Sequence, residues 1–297
     1  MNLKNLKVVF GGCARDCAEH LPIVLDNIRY YSSLFKESFN IIIENGSLDE
    51  TKKILNEKKK ENDNFIFCEH FNKLPTRGER LERSRNLIIE IIKDNQKLKN
   101  YDLFIMLDLD DMGKYRIDKN DILNSVEFLC SKEEIAGVFA NQLGGYYDIW
   151  TLRDLNNFKN DIWVDVFKFI MQNKNSSEQI SKKHLDSAKK EILDKKTFVL
   201  DRSHSPIQVL SAFGGFGIYK MNSVLKNKNR YKGSQSFEVI TNDKKKFNIN
   251  YQKCEHVNFN EGIINDGKKL YILPFLINQN FTKLEFYPQT ALKMMIK

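Results

Sequence analysis

The chain has 297 residues, of which 41% are hydrophobic and 29% charged, and a formal net charge of +8. These proportions are typical of a soluble globular protein with a sizeable core and exclude a disordered or fibrous chain. No stretch approaches the roughly 18 apolar residues of a membrane-spanning helix, so we expect none. The basic balance suits an anionic ligand, a membrane surface or a solvated lysine-rich face, whereas no basic block with interleaved aromatics indicates nucleic acid. Five scattered cysteines and the lack of a signal-peptide core predict reduced thiols and a cytoplasmic protein.

The first third of the chain alternates strand and helix patterns. Strands are predicted at residues 6–10, 39–43, 65–68 and 103–107. Helices are predicted at residues 20–35, from Ser47 or Asp49 to Lys60, and at 79–93, with Ser47 and Glu50 forming a capping box. Such alternation predicts right-handed crossovers and an α/β fold with a mainly parallel sheet.

The second half is less regular. Strands are predicted at residues 136–141 and 269–274, separated by an Asn-, Lys- and Ser-rich excursion at about 156–205 that is helical near 163–171. The excursion either covers a site or forms a mobile surface insertion. The segment 209–219 carries Gly214 and Gly215, where a backbone can approach a ligand closely. No clean linker divides the chain, so we expect one domain over residues 1–297.

Three carboxylates, Asp108, Asp110 and Asp111, follow the apolar run at 103–107. Crowded carboxylates are unfavourable unless a cation neutralises them. Alternation along the strand points Asp108 and Asp110 to the same side, where both can reach one Mg²⁺ or Mn²⁺. The pattern therefore predicts a metal and phosphate site at the carboxyl edge of the sheet.

This acidic motif is open to several interpretations. In phosphatases of the haloacid dehalogenase type, Asp-x-Asp continues with Thr or Val and lies near the start of the chain. Here Asp111, Met112 and Gly113 follow, about a hundred residues in, which disfavours that class. A metal-dependent phosphatase or nucleotidyltransferase, and a non-catalytic module that binds a nucleotide or glycan, remain as alternatives to a nucleotide-sugar glycosyltransferase.

Several blocks in order along the chain resemble GT-A glycosyltransferases, and in particular the fungal capsule-associated mannosyltransferases. The matching blocks lie at residues 43–51, 80–86, 108–110, 147–153, 213–219 and 254–257. The resemblance implies a GT-A-like, Rossmann-type three-layer sandwich that moves a hexose, such as mannose, from a GDP- or UDP-sugar to a glycan or glycoconjugate hydroxyl. It also implies a nucleotide-binding half at 1–113 and an acceptor and metal-completing half at 114–297. Peripheral membrane association and oligomeric state stay open.

The resemblance implies roles for individual residues in the first half. Glu44 would accept a hydrogen bond from the nucleotide base, and Arg80 would contact the base or a phosphate. Asp110 would bind Mn²⁺ or Mg²⁺ between the two phosphates, and Asp108 would bind the ribose or the metal, with Asp111 supporting them. Arg77, Arg83 and Arg85 lie close to Arg80 in sequence, but on a helix they point to different faces.

The second half would complete the site. His256 is the candidate third metal ligand and Glu255 the candidate general base, although two neighbours on a strand would face opposite sides. Asp148 is a further catalytic candidate that would form a sugar platform with Trp150 and Arg153. Gly214 and Gly215 would admit the donor sugar or the acceptor beside the backbone.

Overall fold

A computed structural model describes residues 2–281 and confirms the α/β class. Within this part of the chain, eight strands form one sheet in the order β3-β2-β1-β4-β7-β5-β10-β6, and β8 and β9 form a separate hairpin. The strands are β1 Lys7–Ala14, β2 Glu37–Glu44, β3 Asp63–Phe67, β4 Leu103–Asp108, β5 Ile135–Leu143, β6 Ile207–Val209, β7 Phe216–Lys220, β8 Ser234–Ile240, β9 Lys246–Gln252 and β10 Lys269–Asn280. The helices are α1 Leu21–Ser32, α2 Thr51–Lys58, α3 Arg77–Asp94, α4 Lys119–Cys130, α5 Ile162–Gln172, α6 Lys182–Ala188, α7 Met221–Lys226 and α8 Glu255–Asn265.

The central sheet is mainly parallel, as predicted. β1 pairs in parallel with β2 and β4, β2 with β3, and β5 with β10. The short strand β7 runs antiparallel between β4 and β5, and β6 runs antiparallel along β10. The carboxyl ends of β1, β2 and β4 therefore meet at one edge of the sheet, which is where open α/β sheets bind ligands.

Helices cover both faces of the sheet and make the three layers. In β1, Val9 packs into a core with α3 and α8, whereas its neighbours Val8 and Phe10 pack into a second core with α1 and α4. This period of two is what a strand buried on both faces requires. No helix within residues 2–281 is long and apolar enough to cross a membrane.

Several predicted elements differ in detail from the observed ones. Ser47 does not cap α2, because its hydroxyl oxygen accepts the Asp16 N–H at 3.0 Å; the N-cap residue is Glu50, which makes no side-chain cap hydrogen bond. A capping box forms at α3 between Thr76 and Glu79. The β8–β9 hairpin was not predicted.

Part of the 156–205 excursion packs onto the core of the protein. It contains α5, α6 and further helical turns that extend to Lys196. Its apolar side chains join the same core as α3 and α8, among them Trp163, Val166 and Leu193. Burial of these side chains holds the excursion in place.

Candidate functional site

A cavity of about 240 Å³ lies at the carboxyl edge where β1, β2 and β4 end. It brings together three residues singled out from the sequence, Arg80, Asp108 and Asp110. The remaining lining residues are Cys13, Arg15, Asp16, Cys17, Asn45, Arg77, Leu81 and Leu109. Three guanidinium groups, here called the basic wall, share this space with the carboxylates of Asp108 and Asp110, here called the acidic wall. A third carboxylate, that of Asp16, pairs with Arg15 Nε at 3.4 Å.

Three guanidinium groups form the basic wall. Arg15 Nη1 donates to the Asn45 carbonyl at 3.0 Å, and Arg80 Nη1 donates to the Leu74 carbonyl at 3.0 Å. The Arg80 Nε atom is buried and has no partner among the described residues. Burial lowers the pKa of Arg80, and so do the neighbouring charges of Arg15 and Arg77. Mutual repulsion of this kind is relieved when an anion binds.

The acidic wall is formed by Asp108 and Asp110. Asp108 is the last residue of β4, but Asp110 already begins a short 3₁₀ turn, in which its Oδ1 accepts a hydrogen bond from the Met112 N–H at 3.1 Å. The two side chains therefore share the cavity through this turn and not through continued strand alternation. Burial, and next the charge of Asp108, raise the pKa of Asp110 to about 6. The Asp111 residue is exposed.

Arg85 contacts Asp108 from behind the cavity and was not singled out from the sequence. Its side chain is buried, although it lies on the same helix as exposed Arg83. Arg85 Nη2 donates to Asp108 Oδ1 at 3.1 Å, and Nη1 forms an ion pair with Glu255 Oε1. The guanidinium also lies 5.0 Å from the centre of the Phe213 ring. The only sequence signal was its place in the Arg-rich start of α3.

Glu255 and His256 are the first two residues of helix α8, so their predicted position on a strand was wrong. Cys254 is the N-cap residue of this helix. Because neighbouring residues on a helix do not alternate between two faces, Glu255 and His256 need not point to opposite sides. The Glu255 carboxylate is paired with Arg85, and His256 stacks on Phe213 with ring centres 3.9 Å apart. Burial lowers the pKa of His256 far below its usual value, and Arg85 lowers it further. Neither ring nitrogen has a hydrogen-bond partner within the described residues.

Asp148, Trp150 and Arg153 do not converge on a common platform. The Asp148 carboxylate accepts hydrogen bonds from the Thr151 hydroxyl at 2.8 Å and from the Gly214 N–H at 2.9 Å. Trp150 Nε1 and Arg153 Nη2 instead both donate to Asp161 Oδ2, at 3.1 and 3.0 Å. Asp148 thus holds the glycine turn, while its neighbours anchor the start of α5.

Gly214 and Gly215 form a turn directly behind Asp108. Their φ angles are +65° and +79°, which only glycine adopts without strain. The Asp108 N–H donates to the Gly215 carbonyl at 3.0 Å. A Cβ atom on Gly215 would lie 3.5 Å from Asp108 Oδ2. The turn therefore lets the backbone approach the carboxylate closely, as its glycines suggested.

Glu44 lies behind the cavity, and Asn45 lines it instead. Glu44 is fully buried, and its Oε1 accepts the Ser47 N–H at 2.5 Å, so the carboxylate caps the turn that follows β2. Its Oε2 has no partner among the described residues. Asn45 donates from Nδ2 to the Ser84 hydroxyl at 3.2 Å, while its buried Oδ1 has no partner. The unpaired amide oxygen in the cavity wall is thus an acceptor that the sequence analysis missed.

A divalent cation fits the acidic wall. Asp108, Asp110, Asp148 and Glu255 stand against the single buried guanidinium of Arg85, and burial raises the pKa of Asp108, Asp110 and Asp148. No group of three or more His, Cys, Asp or Glu residues within residues 2–281 forms a ready-made metal cage. Mg²⁺ and Mn²⁺ suit a site with only one or two protein carboxylates, because substrate phosphates and water fill the other positions.

Comparisons with known proteins return structural likeness alone. No protein-family model and no curated protein matches this chain. S. aureus TarS 1–349 with UDP-GlcNAc is 9% identical over 96% of this chain and 61% of its own, with a TM-score of 0.48. Glucosyl-3-phosphoglycerate synthase from Mycobacterium tuberculosis, with Mn²⁺, UDP and phosphoglyceric acid, is 12% identical over 98% and 74%, with a TM-score of 0.44.

A third neighbour is the mannosyltransferase PcManGT from Pyrobaculum calidifontis with GDP-Man and Mn²⁺. It is 13% identical over 46% of this chain and 36% of its own, with a TM-score of 0.35. The chain thus spans less than two thirds of TarS 1–349 and of PcManGT. At these identities and TM-scores, the likeness assigns neither a family nor a substrate to this chain.

Proposed function

We propose that this protein is a metal-dependent glycosyltransferase that moves a hexose from a nucleoside diphosphate sugar to a hydroxyl of a glycan or glycoconjugate. One observation carries the proposal: three guanidinium groups and the carboxylates of Asp108 and Asp110 line a single cavity at the carboxyl edge of a mainly parallel sheet. Guanidinium groups bind phosphate oxygens, and the carboxylates suit the cation that accompanies a diphosphate. A sugar nucleotide presents this combination of groups.

The protein residues have distinct tasks in this proposal. Arg15, Arg77 and Arg80 bind the anionic oxygens of the diphosphate, and Asp108 and Asp110 hold the cation. When bound, Mn²⁺ or Mg²⁺ neutralises the charge that develops on the departing nucleoside diphosphate. The two glycines at 214–215 bring backbone beside Asp108, where the sugar is transferred.

The roles of the flanking residues follow from their contacts. Asn45 Oδ1 accepts from a base N–H, with Glu44 holding the turn behind it. Glu255 is paired with Arg85, so we place it among the groups that set the local field and do not assign it as the base. His256 faces Arg85 and Phe213, and we retain it only as a candidate ligand. We further propose that residues 1–113 bind the nucleotide and residues 114–297 complete the acceptor side.

A thermal-shift panel of UDP-, GDP-, CMP- and dTDP-sugars, each with and without Mn²⁺, tests the proposal. A ligand at about a hundred times its dissociation constant adds roughly 2.7 kcal/mol to the free energy of unfolding. We expect at least one sugar nucleotide to stabilise the wild type, and to do so more strongly with Mn²⁺. Asp110→Asn should lose the metal-dependent part of the shift.

Other outcomes of the panel identify the competing functions. A shift that is independent of metal and of Asp110 would indicate a binding module. In a separate colorimetric assay of the same mixtures, release of free phosphate or pyrophosphate without an acceptor sugar would indicate a phosphatase or nucleotidyltransferase. The absence of any nucleotide effect in the presence of Mn²⁺ would refute the transferase proposal.

A further inference from the structure

Arg85 is a buried charged residue of α3 that lies beside Asp108. Its side chain is 5% exposed, although it sits on α3 two residues from exposed Arg83. A buried guanidinium is unfavourable unless its charge and its N–H groups are paired. Such a group persists in a fold because its partners hold it, so its contacts indicate its role.

The contacts of Arg85 join two distant parts of the chain. One end of the guanidinium donates to Asp108 Oδ1 at the end of β4, and the other end pairs with Glu255 at the start of α8. The Phe213 ring lies against the group at 5.0 Å and limits its position. Arg85 thus connects Asp108, the last residue of β4, to helix α8, which begins about 150 residues later in the chain.

The second carboxylate oxygen of Asp108, Oδ2, has neighbours other than Arg85. Asp108 Oδ2 accepts a hydrogen bond from the Tyr147 hydroxyl at 3.4 Å and lies beside the Gly215 turn. With Oδ1 held by Arg85, the carboxylate cannot rotate freely about its Cβ–Cγ bond. One oxygen is therefore held by Arg85, while the other, which accepts one hydrogen bond from Tyr147, keeps a lone pair for a cation in the cavity that Asp108 lines.

We propose that Arg85 is a positioning residue, which holds the Asp108 carboxylate in the orientation that binds the divalent cation and is itself fixed by Glu255. This inference rests on the proposed metal and diphosphate site and adds a residue that acts through Asp108. Lysine cannot replace Arg85, because an ammonium group is a point charge and lacks the planar fork that bridges two carboxylates. Groups that orient metal ligands typically change metal affinity 10- to 100-fold when they are substituted.

Two variants that conserve every charge test the orientation itself. Arg85→Lys keeps the positive charge but cannot bridge, and Glu255→Asp keeps the negative charge but shortens the arm that fixes Arg85. Arg83→Lys is the matched control, the same exchange on the exposed face of the same helix. Circular dichroism and thermal unfolding establish that each variant is folded, and electron paramagnetic resonance titration with Mn²⁺ alone measures metal binding.

We expect Arg85→Lys to bind Mn²⁺ about 10- to 100-fold more weakly than the wild type, Glu255→Asp to shift in the same direction, and Arg83→Lys to match the wild type. If folded Arg85→Lys binds Mn²⁺ with wild-type affinity, or if the wild type binds none, the inference is wrong. If Arg85→Lys does not fold, the Glu255→Asp titration decides in the same way. Wild type that binds Mn²⁺ but no sugar nucleotide would refute the transferase proposal while leaving this comparison of variants intact.

Discussion

Replacing Asp110 by asparagine should make the metal-free protein more stable while removing its metal site. The pKa of Asp110 is raised from 3.8 to about 6, first by burial and second by the charge of Asp108. Because this pKa lies above that of the unfolded chain, ionised Asp110 opposes folding. The penalty grows as the pH rises from about 4 to about 6 and is constant above that range.

The magnitude follows from the difference between the two pKa values. At about 1.36 kcal/mol per pKa unit, the penalty at pH 7.5 is roughly 3 kcal/mol as an upper bound. Partial access of solvent reduces it, so we expect Asp110→Asn to raise the free energy of unfolding by about 1 to 3 kcal/mol. The gain at pH 5 should be about half of that at pH 7.5. Asparagine still accepts the Met112 N–H, so the cap of the turn is retained.

Urea denaturation at pH 5 and pH 7.5, in the presence of a chelator, measures this gain. Asp111→Asn is the control, because the neighbouring Asp111 residue is exposed and its replacement should change stability by less than about 0.5 kcal/mol. Added Mn²⁺ should stabilise the wild type and leave Asp110→Asn unchanged. Equal stability of wild type and Asp110→Asn at pH 7.5, or an equal gain from Asp111→Asn, would refute the argument from burial and repulsion.

Three further predictions concern the same site. Since Asp110 must lose its proton to bind a cation, Mn²⁺ affinity measured by paramagnetic resonance should be constant above pH 6 and fall about tenfold per pH unit below it; a flat profile to pH 5 would contradict this. Arg77→Ala should weaken nucleoside diphosphate binding about tenfold or more in calorimetry without weakening Mn²⁺ binding at pH 7.5, because Arg77 contributes no metal ligand and its positive charge repels a cation held by the carboxylates. Gly215→Ala and Gly267→Ala place alanine at φ angles of +79° and +75°, at a cost of roughly 1 kcal/mol or more each in urea denaturation. Only Gly215→Ala should also weaken Mn²⁺ binding, because its Cβ would lie 3.1 Å from Asn278 Nδ2 and 3.5 Å from Asp108 Oδ2. Gly267 has no atom within 4 Å of its added Cβ and serves as the control. Equal Mn²⁺ affinities of the two variants would count against a role for the Gly214–Gly215 turn.

The first half of the fold was predictable because its signals are local. Apolar runs of strand length alternate with helical periodicity, and each observed strand from β1 to β4 overlaps its predicted range. The first strand was predicted to end at residue 10, before Gly11 and Gly12. This boundary was wrong, since β1 continues through both glycines to Ala14. A Cβ on Gly11 would approach the Phe104 ring to 2.9 Å, so this glycine serves close packing across the sheet and not a turn.

The second half was less predictable because its contacts are distant in sequence. The β8–β9 hairpin carries the alternation of a strand pair at Phe237 and Val239 and again at Ile249 and Tyr251, but its turn lacks a glycine signal. The start of α8 was assigned to a strand because Cys254 does not offer a side-chain cap. Both elements acquire their positions from α3 and α5, which no local pattern reports.

The same limit applies to the site. Asp108 and Asp110 stand out because three carboxylates in four residues are chemically unusual, whereas Arg85 is one arginine among several on α3. Its partner Glu255 lies 170 residues away, and burial of the pair depends on Phe213 from a third segment. Only the assembled fold distinguishes this arginine from exposed Arg83.

The charge arrangement of the site connects these observations. The chain is basic overall, but the carboxyl edge of its sheet gathers a basic wall of three guanidinium groups and an acidic wall of Asp108 and Asp110 around one cavity. Each wall is unfavourable alone, since burial and like charges lower the pKa of Arg80 and raise that of Asp110. An anion satisfies only the first wall and a cation only the second. A diphosphate bound together with a divalent cation satisfies both walls. The two ligands added together should therefore raise the free energy of unfolding by more than the sum of the increases that each produces alone.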